Sequence, residues 1–68
     1  MSLSVAKAYE LIGIAYLEAK EFQNAEETLS LCLEKYQYLM SGRNNENIIR
    51  VSGLVERART HGGTQPIA

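Results

Sequence analysis

The near absence of proline is the feature that most constrains the fold of this 68-residue chain. The only proline is Pro66, and a proline-free chain can keep the hydrogen-bond ladder of an α-helix intact over long stretches. Apolar residues recur every three or four positions instead of every second one, which is typical of helices. The sequence therefore predicts an all-α fold, with residues 1–63 as one domain and residues 64–68 as a flexible tail.

Turn-forming residues divide the domain into three predicted helices at about 4–20, 22–40 and 45–61. Helix two starts at Glu21 or as late as Asn24, where Asn24 and Glu27 resemble a capping box. The first two helices are expected to form an antiparallel hairpin followed by the third. The other predicted caps and stops are Ser4 before helix one, Gly42 after helix two, Asn44 or Asn45 before helix three, and Gly62 with Gly63 after it.

Helices two and three each carry one apolar stripe, as expected for helices that bury a single face. On helix two the predicted stripe is Phe22, Ala25, Leu29, Cys32, Leu33, Tyr36 and Met40. On helix three the predicted stripe is Ile48, Val51, Val55 and Ala58. Arg50 and Arg57 are predicted to point away from that stripe.

Helix one is apolar on two faces and is therefore expected to have two neighbours. The stripe predicted to pack on helix two is Val5, Ala8, Tyr9, Ile12, Tyr16 and Ala19. The second face holds Leu11, Ile14 and Leu17 among Lys7, Glu10 and Glu18. Three interpretations stay open for this second face: it packs on helix three, it lines an open groove, or it mediates self-association.

A glycine inside helix one, Gly13, points to a known family. Glycine in a helix interior costs roughly 0.5–1 kcal/mol relative to alanine, so close packing should compensate for it. Residues 6–39 resemble one tetratricopeptide repeat, a helix–turn–helix unit of about 34 residues. The matching residues are Tyr9, Ile12, Gly13, Tyr16, Phe22, Ala25, Leu29 and Cys32. Gln37 replaces the proline common in the family, and Ser52-Gly53 is a weak echo of Ile12-Gly13 at a longer spacing.

The resemblance implies a protein–protein interaction module with a concave face that takes up a protein or peptide. Carried onto this chain, that face is Lys7, Glu10, Leu11, Ile14, Leu17 and Glu18. About one and a half repeats make a marginal fold, since at least three are usually needed for stability. A homodimer is therefore expected, and a capping fragment of a longer repeat protein is the alternative. Leu31 and Tyr38 lie on the polar side of helix two and are a possible second contact surface.

Other function classes have little support in the sequence, which predicts no catalytic, cofactor-binding or metal site. The only histidine, His61, lies at a helix end, and the only cysteine, Cys32, lies on a core stripe. Four arginines after residue 42 are a weak basis for nucleic-acid binding, because the rest of the chain is acidic. No apolar run reaches the ~20 residues that span a membrane, and no secretory signal is evident, so a cytoplasmic location is expected.

Overall fold

The computed structural model describes residues 3–40 and 45–62, and over these ranges the chain forms three α-helices and no strand. Helix α1 spans Leu3–Glu18, α2 spans Phe22–Leu39 and α3 spans Glu46–His61. The first two helices pack closely as a hairpin, and α3 packs on α2 while meeting α1 at few points. The predicted all-α class, a helix hairpin followed by a third helix, is confirmed.

The turn between α1 and α2 ends the first helix two residues earlier than predicted. The Lys20 and Glu21 amides donate to the Leu17 and Tyr16 carbonyls at 3.0 and 2.9 Å, a pattern that closes a helix C-terminus. Lys20 adopts a φ of 63°, the left-handed conformation that glycine usually takes at this position. At the other end of α1, the predicted N-cap Ser4 is wrong, because the helix already includes Leu3 and Ser4.

Helix α2 begins at the earlier of the two predicted starts. Glu21 is its N-cap residue, and the Asn24 side-chain amide donates to Glu21 Oε1 at 2.8 Å. Asn24 therefore lies inside the first turn and does not cap the helix. Helix α2 ends at Leu39, one residue before the predicted end at Met40.

Helix α3 begins and ends as predicted. The Asn45 side-chain oxygen accepts a hydrogen bond from the Ile48 amide at 3.0 Å, so Asn45 is the N-cap. The helix ends at His61, and Gly62 is its C-cap residue. The predictions for Gly42, Asn44, Gly63 and the tail at 64–68 lie outside the described residues.

Helix α2 supplies the centre of the core and packs against both other helices. The predicted stripes of α2 and α3 are confirmed. Their fully or almost fully buried members are Ala25, Leu29, Cys32, Tyr36, Ile48, Val51, Val55 and Ala58. A Cβ placed on Gly13 would overlap the Leu29 side chain, which is completely buried. Gly13 is therefore a close-packing glycine that lets α1 approach α2.

The predicted core stripe of α1 is wrong for four of its residues. The buried residues of α1 are Ala6, Glu10 and Gly13, and Tyr9 and Tyr16 are half-buried beside them. Four residues of the predicted stripe are instead exposed: Val5, Ala8, Ile12 and Ala19. The two backbones approach closely at Gly13, so the face of α1 with the smallest side chains packs against α2. Hydropathy alone predicts burial of the face with the largest apolar side chains.

The predicted orientation of Arg50 is also wrong. Arg50 does not point away from the helix bundle; its guanidinium donates to the buried Glu10 carboxylate of α1. The stem of the side chain spans from α3 to α1, and 45% of the side chain remains exposed. The apolar stripe of α3 could not indicate this contact, because a long arginine can reach a neighbouring helix from the flank of a stripe.

Candidate functional site

A polar cluster joins all three helices at the buried Glu10 carboxylate. Arg50 Nε and Nη2 donate to Glu10 Oε2 and Oε1 at 2.7 and 3.0 Å. The Tyr36 hydroxyl of α2 donates to Glu10 Oε1 at 3.0 Å. Arg50 also donates to Asn47 Oδ1 at 2.8 Å, which holds the guanidinium from its own helix. The charge of Glu10 is thus paired inside the chain, as a buried carboxylate requires.

This cluster shifts the pKa values of its members in opposite directions. The Arg50 hydrogen bonds hold the pKa of the Glu10 carboxyl below its usual value, although burial acts in the opposite direction. Burial, with the hydrogen bond to Glu10, raises the pKa of Tyr36 to about 12. At neutral pH the cluster therefore contains an ionised carboxylate, a guanidinium and a neutral phenol, an arrangement that stabilises the fold and leaves no free acid or base.

The six residues predicted to form a concave face do not lie together on one open surface. Glu10 is buried in the polar cluster and only 8% exposed. Leu17 packs against the core, and Ile14 is half-buried. Lys7, Leu11 and Glu18 are exposed. The side chains of the predicted groove are thus divided between the interior and the flank of α1.

Two of these six residues line an open cleft near the end of α3. The cleft has a volume of about 640 Å³ and is lined by Leu17, Glu18, Lys20, Phe22, Arg57 and His61. The His61 ring stacks on Phe22 with ring centroids 5.6 Å apart, which packs the end of α3 on the start of α2. Acidic and basic side chains are mixed around the cleft, so its charge favours no one class of ligand.

Among the described residues, several exposed apolar side chains lie together on α1, opposite its buried face. We call this surface the outer α1 face; its residues are Val5, Ala8, Leu11, Ile12, Ala15 and Ala19. The exposed fractions of its large side chains are 41% for Val5, 68% for Leu11 and 49% for Ile12. Lys7 and Glu18 border this surface, and no charged residue lies within it. Contiguous exposed apolar surface of this kind marks interaction sites in folded proteins.

A second pair of exposed apolar side chains lies on α2. The Lys35 ammonium lies 5.1 Å from the centroid of the Tyr9 ring, so this side of α2 borders α1. Leu31 and Tyr38 lie one turn before and after Lys35 on the same side of the helix. Leu31 is 44% exposed and Tyr38 is 74% exposed. The two exposed residues noted from the sequence therefore lie on the side of the hairpin that carries Tyr9.

The outward face of α3 is mostly polar, in contrast to the outer α1 face. Its residues are Glu46, Ile49, Gly53, Glu56 and Arg57, and Ile49 is its only large apolar member. A Cβ on Gly53 would meet no atom within 4 Å, so Gly53 does not repeat the packing role of Gly13. A polar outer face is typical of a terminal, capping helix in a repeat protein. One side of the bundle is thus polar and the other apolar.

Cys32 and His61 have the positions expected of structural residues. The Cys32 thiol is completely buried and donates to the Ala6 carbonyl at 3.2 Å. Burial raises the pKa of Cys32 to about 11, which keeps the thiol protonated and poorly nucleophilic. His61 is exposed at the end of α3 and contacts Phe22. Neither side chain is part of an arrangement that would activate it.

The sequence did not indicate the outer α1 face, because its pattern predicts Val5, Ala8, Ile12 and Ala19 in the core and Leu11 in the concave face. A usable signal was present: Gly13 and Ala6 share one side of α1, and Val5, Ala8 and Ile12 share the other. Placing the glycine toward α2 would have placed the larger apolar residues outward. Ile12 is accordingly the one residue of the repeat-like motif that is exposed, at 49%, whereas the others are buried or partly buried.

Comparisons of this chain with protein-family models, with curated proteins and with solved structures find no match. Within residues 3–40 and 45–62, no helix is long and apolar enough to cross a lipid bilayer. The same part of the chain holds no group of three or more histidine, cysteine or acidic side chains placed to bind a metal ion.

Proposed function

We propose that this chain is a non-enzymatic protein-interaction module that binds a further α-helix on the outer α1 face. The observation that carries the proposal is the exposure of Leu11 and Ile12 in a charge-free surface on a well-packed helix. Close contact between helices buries such surface, and burial of apolar area is the main driving force for association.

The spacing of the exposed residues supports a helix as the binding partner. Val5, Ala8, Ile12, Ala15 and Ala19 follow one another at alternating intervals of three and four residues. This spacing places the residues in a seam along one side of a helix and is the pattern by which two helices pack side by side. The alanines leave room for a neighbouring backbone, and Leu11 and Ile12 provide the larger side chains at the centre.

The resemblance to a tetratricopeptide repeat supports the same class of function. The close packing of Gly13 on Leu29 is compatible with such a hairpin, although the groove residues expected from the family are divided between core and surface. In this proposal α3 acts as the polar cap and the outer α1 face receives the next helix. The proposal has two forms. In one, the chain is a capping fragment and the bound helix belongs to the same longer protein; in the other, the bound helix belongs to a separate chain.

A site-specific photocrosslinker tests the proposal. p-Benzoylphenylalanine replaces Ile12 in one variant and Ile49 of α3, which is 65% exposed, in a matched control. We expect irradiation in cells to link position 12 to a polypeptide and to leave position 49 largely unlinked. Failure of position 12 to crosslink any polypeptide above the level of position 49 would contradict the proposal.

A further inference from the structure

We infer that the helix received by the outer α1 face is α1 of a second copy of this chain, packed antiparallel around Leu11 and Ile12. The inference rests on the proposed function, and it identifies the partner that the proposed function leaves open. It follows from the symmetry of the surface, from the charges at its edge and from the polar face of α3.

The residues of the outer α1 face are nearly symmetric about their centre. Ala8 precedes Leu11 and Ile12 by the same spacing at which Ala15 follows them. In an antiparallel pair, Ala8 of one copy therefore lies beside Ala15 of the other, and the larger Leu11 and Ile12 meet at the two-fold axis. A two-fold interface uses the same patch on both copies and requires such self-complementarity.

The charges that border the face select the antiparallel direction. Lys7 lies near one end of this edge and Glu18 lies near the other. An antiparallel pair keeps this edge of both copies on the same side of the interface and brings Lys7 of each copy toward Glu18 of the other, whereas a parallel pair places the two charged edges on opposite sides and forms no such contact. Opposite charges at the edge of an interface favour one register and disfavour the alternative.

The outward face of α3 argues against a head-to-tail arrangement of copies. A chain of copies would require the outer α1 face of one molecule to pack on an apolar face at the other side of the next molecule. That side carries Glu46, Glu56 and Arg57 around a single large apolar residue. A closed dimer through α1 buries the apolar face and leaves the polar face in water.

The area available fits a dimer that dissociates on dilution. Helix α1 has 16 residues and is therefore about 24 Å long. A face of this length and one helix in width buries on the order of 400 Å² per copy, which is about half of the area that each partner buries in a standard interface. Interfaces of this size are typical of weak association, so we expect a dissociation constant in the micromolar range.

Sedimentation equilibrium from about 1 to 300 µM tests the stoichiometry. We expect a monomer at the lowest concentration and a dimer at the highest, with a dissociation constant at least tenfold higher for Ile12→Glu than for the natural chain. The matched control Ile49→Glu places the same charge on α3 at an exposed isoleucine and should leave the dissociation constant unchanged. A monomer at every concentration, or equal effects of the two variants, would overturn the inference.

Cysteine pairing tests the direction and remains informative if Ile12→Glu fails to fold. Chains carrying Ala8→Cys and Ala15→Cys are mixed and oxidised with glutathione disulfide, while the buried Cys32 stays unreactive. The antiparallel dimer predicts that the mixed 8–15 disulfide exceeds both homodisulfides severalfold. An excess of 8–8 and 15–15 disulfides would show a parallel pair and overturn the proposed arrangement.

The photocrosslinker at position 12 separates failure of this inference from failure of the proposed function. If the chain stays monomeric but crosslinks at position 12 to a different polypeptide, the proposed function is supported and a second copy is excluded as the partner. If the chain crosslinks to no polypeptide at position 12, both the proposed function and the dimer inference are contradicted.

Discussion

The Glu10 carboxylate of α1 accepts two hydrogen bonds from the Arg50 guanidinium of α3, at 2.7 and 3.0 Å. These two helices otherwise meet at few points, so the pair is a main link between the first and last helices of the described chain. Tyr36 donates to the same carboxylate from α2 and makes the link common to all three helices. The pair therefore stabilises the position of α3 on the hairpin.

Replacement of Arg50 by methionine should destabilise the fold because it leaves the Glu10 carboxylate buried with Tyr36 as its remaining partner. Loss of one partner from a fully buried pair costs about 3–5 kcal/mol. Since 45% of the Arg50 side chain is exposed, we expect about 2 kcal/mol in the free energy of unfolding. Urea unfolding followed by circular dichroism measures it at one fixed protein concentration. Arg57→Met on the same helix is the control, and an equal loss in both variants would contradict the role of Glu10.

Acid should weaken the fold through Glu10. The pKa of Glu10 is lowered in the folded chain by Arg50, so folding favours the ionised form. The stabilisation is therefore complete above the unfolded pKa of about 4.3 and is lost as the pH falls through the lower folded pKa. In Glu10→Gln, unfolding measured between pH 7 and pH 2 should show lower stability at pH 7 and a shallower acid decline. Parallel pH profiles for the two chains would contradict this assignment.

Two glycines within helices should respond in opposite ways to alanine. Gly13→Ala places a methyl group against the completely buried Leu29 and should cost about 1–2 kcal/mol, even after the gain in helix propensity. Gly53→Ala adds a methyl group in open space and should stabilise α3 by roughly 0.5–1 kcal/mol. Thermal and urea unfolding compare the two variants. Stabilisation by Gly13→Ala would mean that α1 does not approach α2 at this residue.

The turn after α1 offers a stabilising substitution. Lys20 has a φ of 63°, a conformation that costs a residue with a Cβ more than it costs glycine. We expect Lys20→Gly to raise the free energy of unfolding by about 0.5–1 kcal/mol. Lys20→Ala serves as the control, because it removes the side chain and keeps the strain. A destabilised Lys20→Gly would indicate that the Lys20 side chain itself contributes to stability.

The sequence predicted the helices well because their signals are local. The Asn45 cap, the end of α3 near His61 and the single stripe of α2 all follow from residues within a few positions of one another. The orientation of α1 depended on information from another helix. Whether Ile12 or Gly13 faces Leu29 is decided by how closely two backbones approach, and hydropathy ranks these two residues in the wrong order.

The polar cluster could not be predicted for a related reason. A glutamate between apolar residues is read as a surface residue unless its partner is known, and Arg50 lies far along the chain on a different helix. With Glu10 assigned to the surface, the predicted groove included it. Correct placement of Glu10 would have required knowledge of how α3 packs on the hairpin.

The orientation of α1 is the central claim, since both the core at Gly13 and the outer α1 face depend on it. The most direct measurement is the rate at which a thiol reagent labels Ala8→Cys, with the buried Cys32 of the same chain as internal reference. At low micromolar concentration we predict labelling of position 8 at a rate near that of an unfolded peptide, while Cys32 reacts at least a hundredfold more slowly. Equal protection of both thiols in the folded monomer would mean that Ala8 faces α2, and would contradict the account.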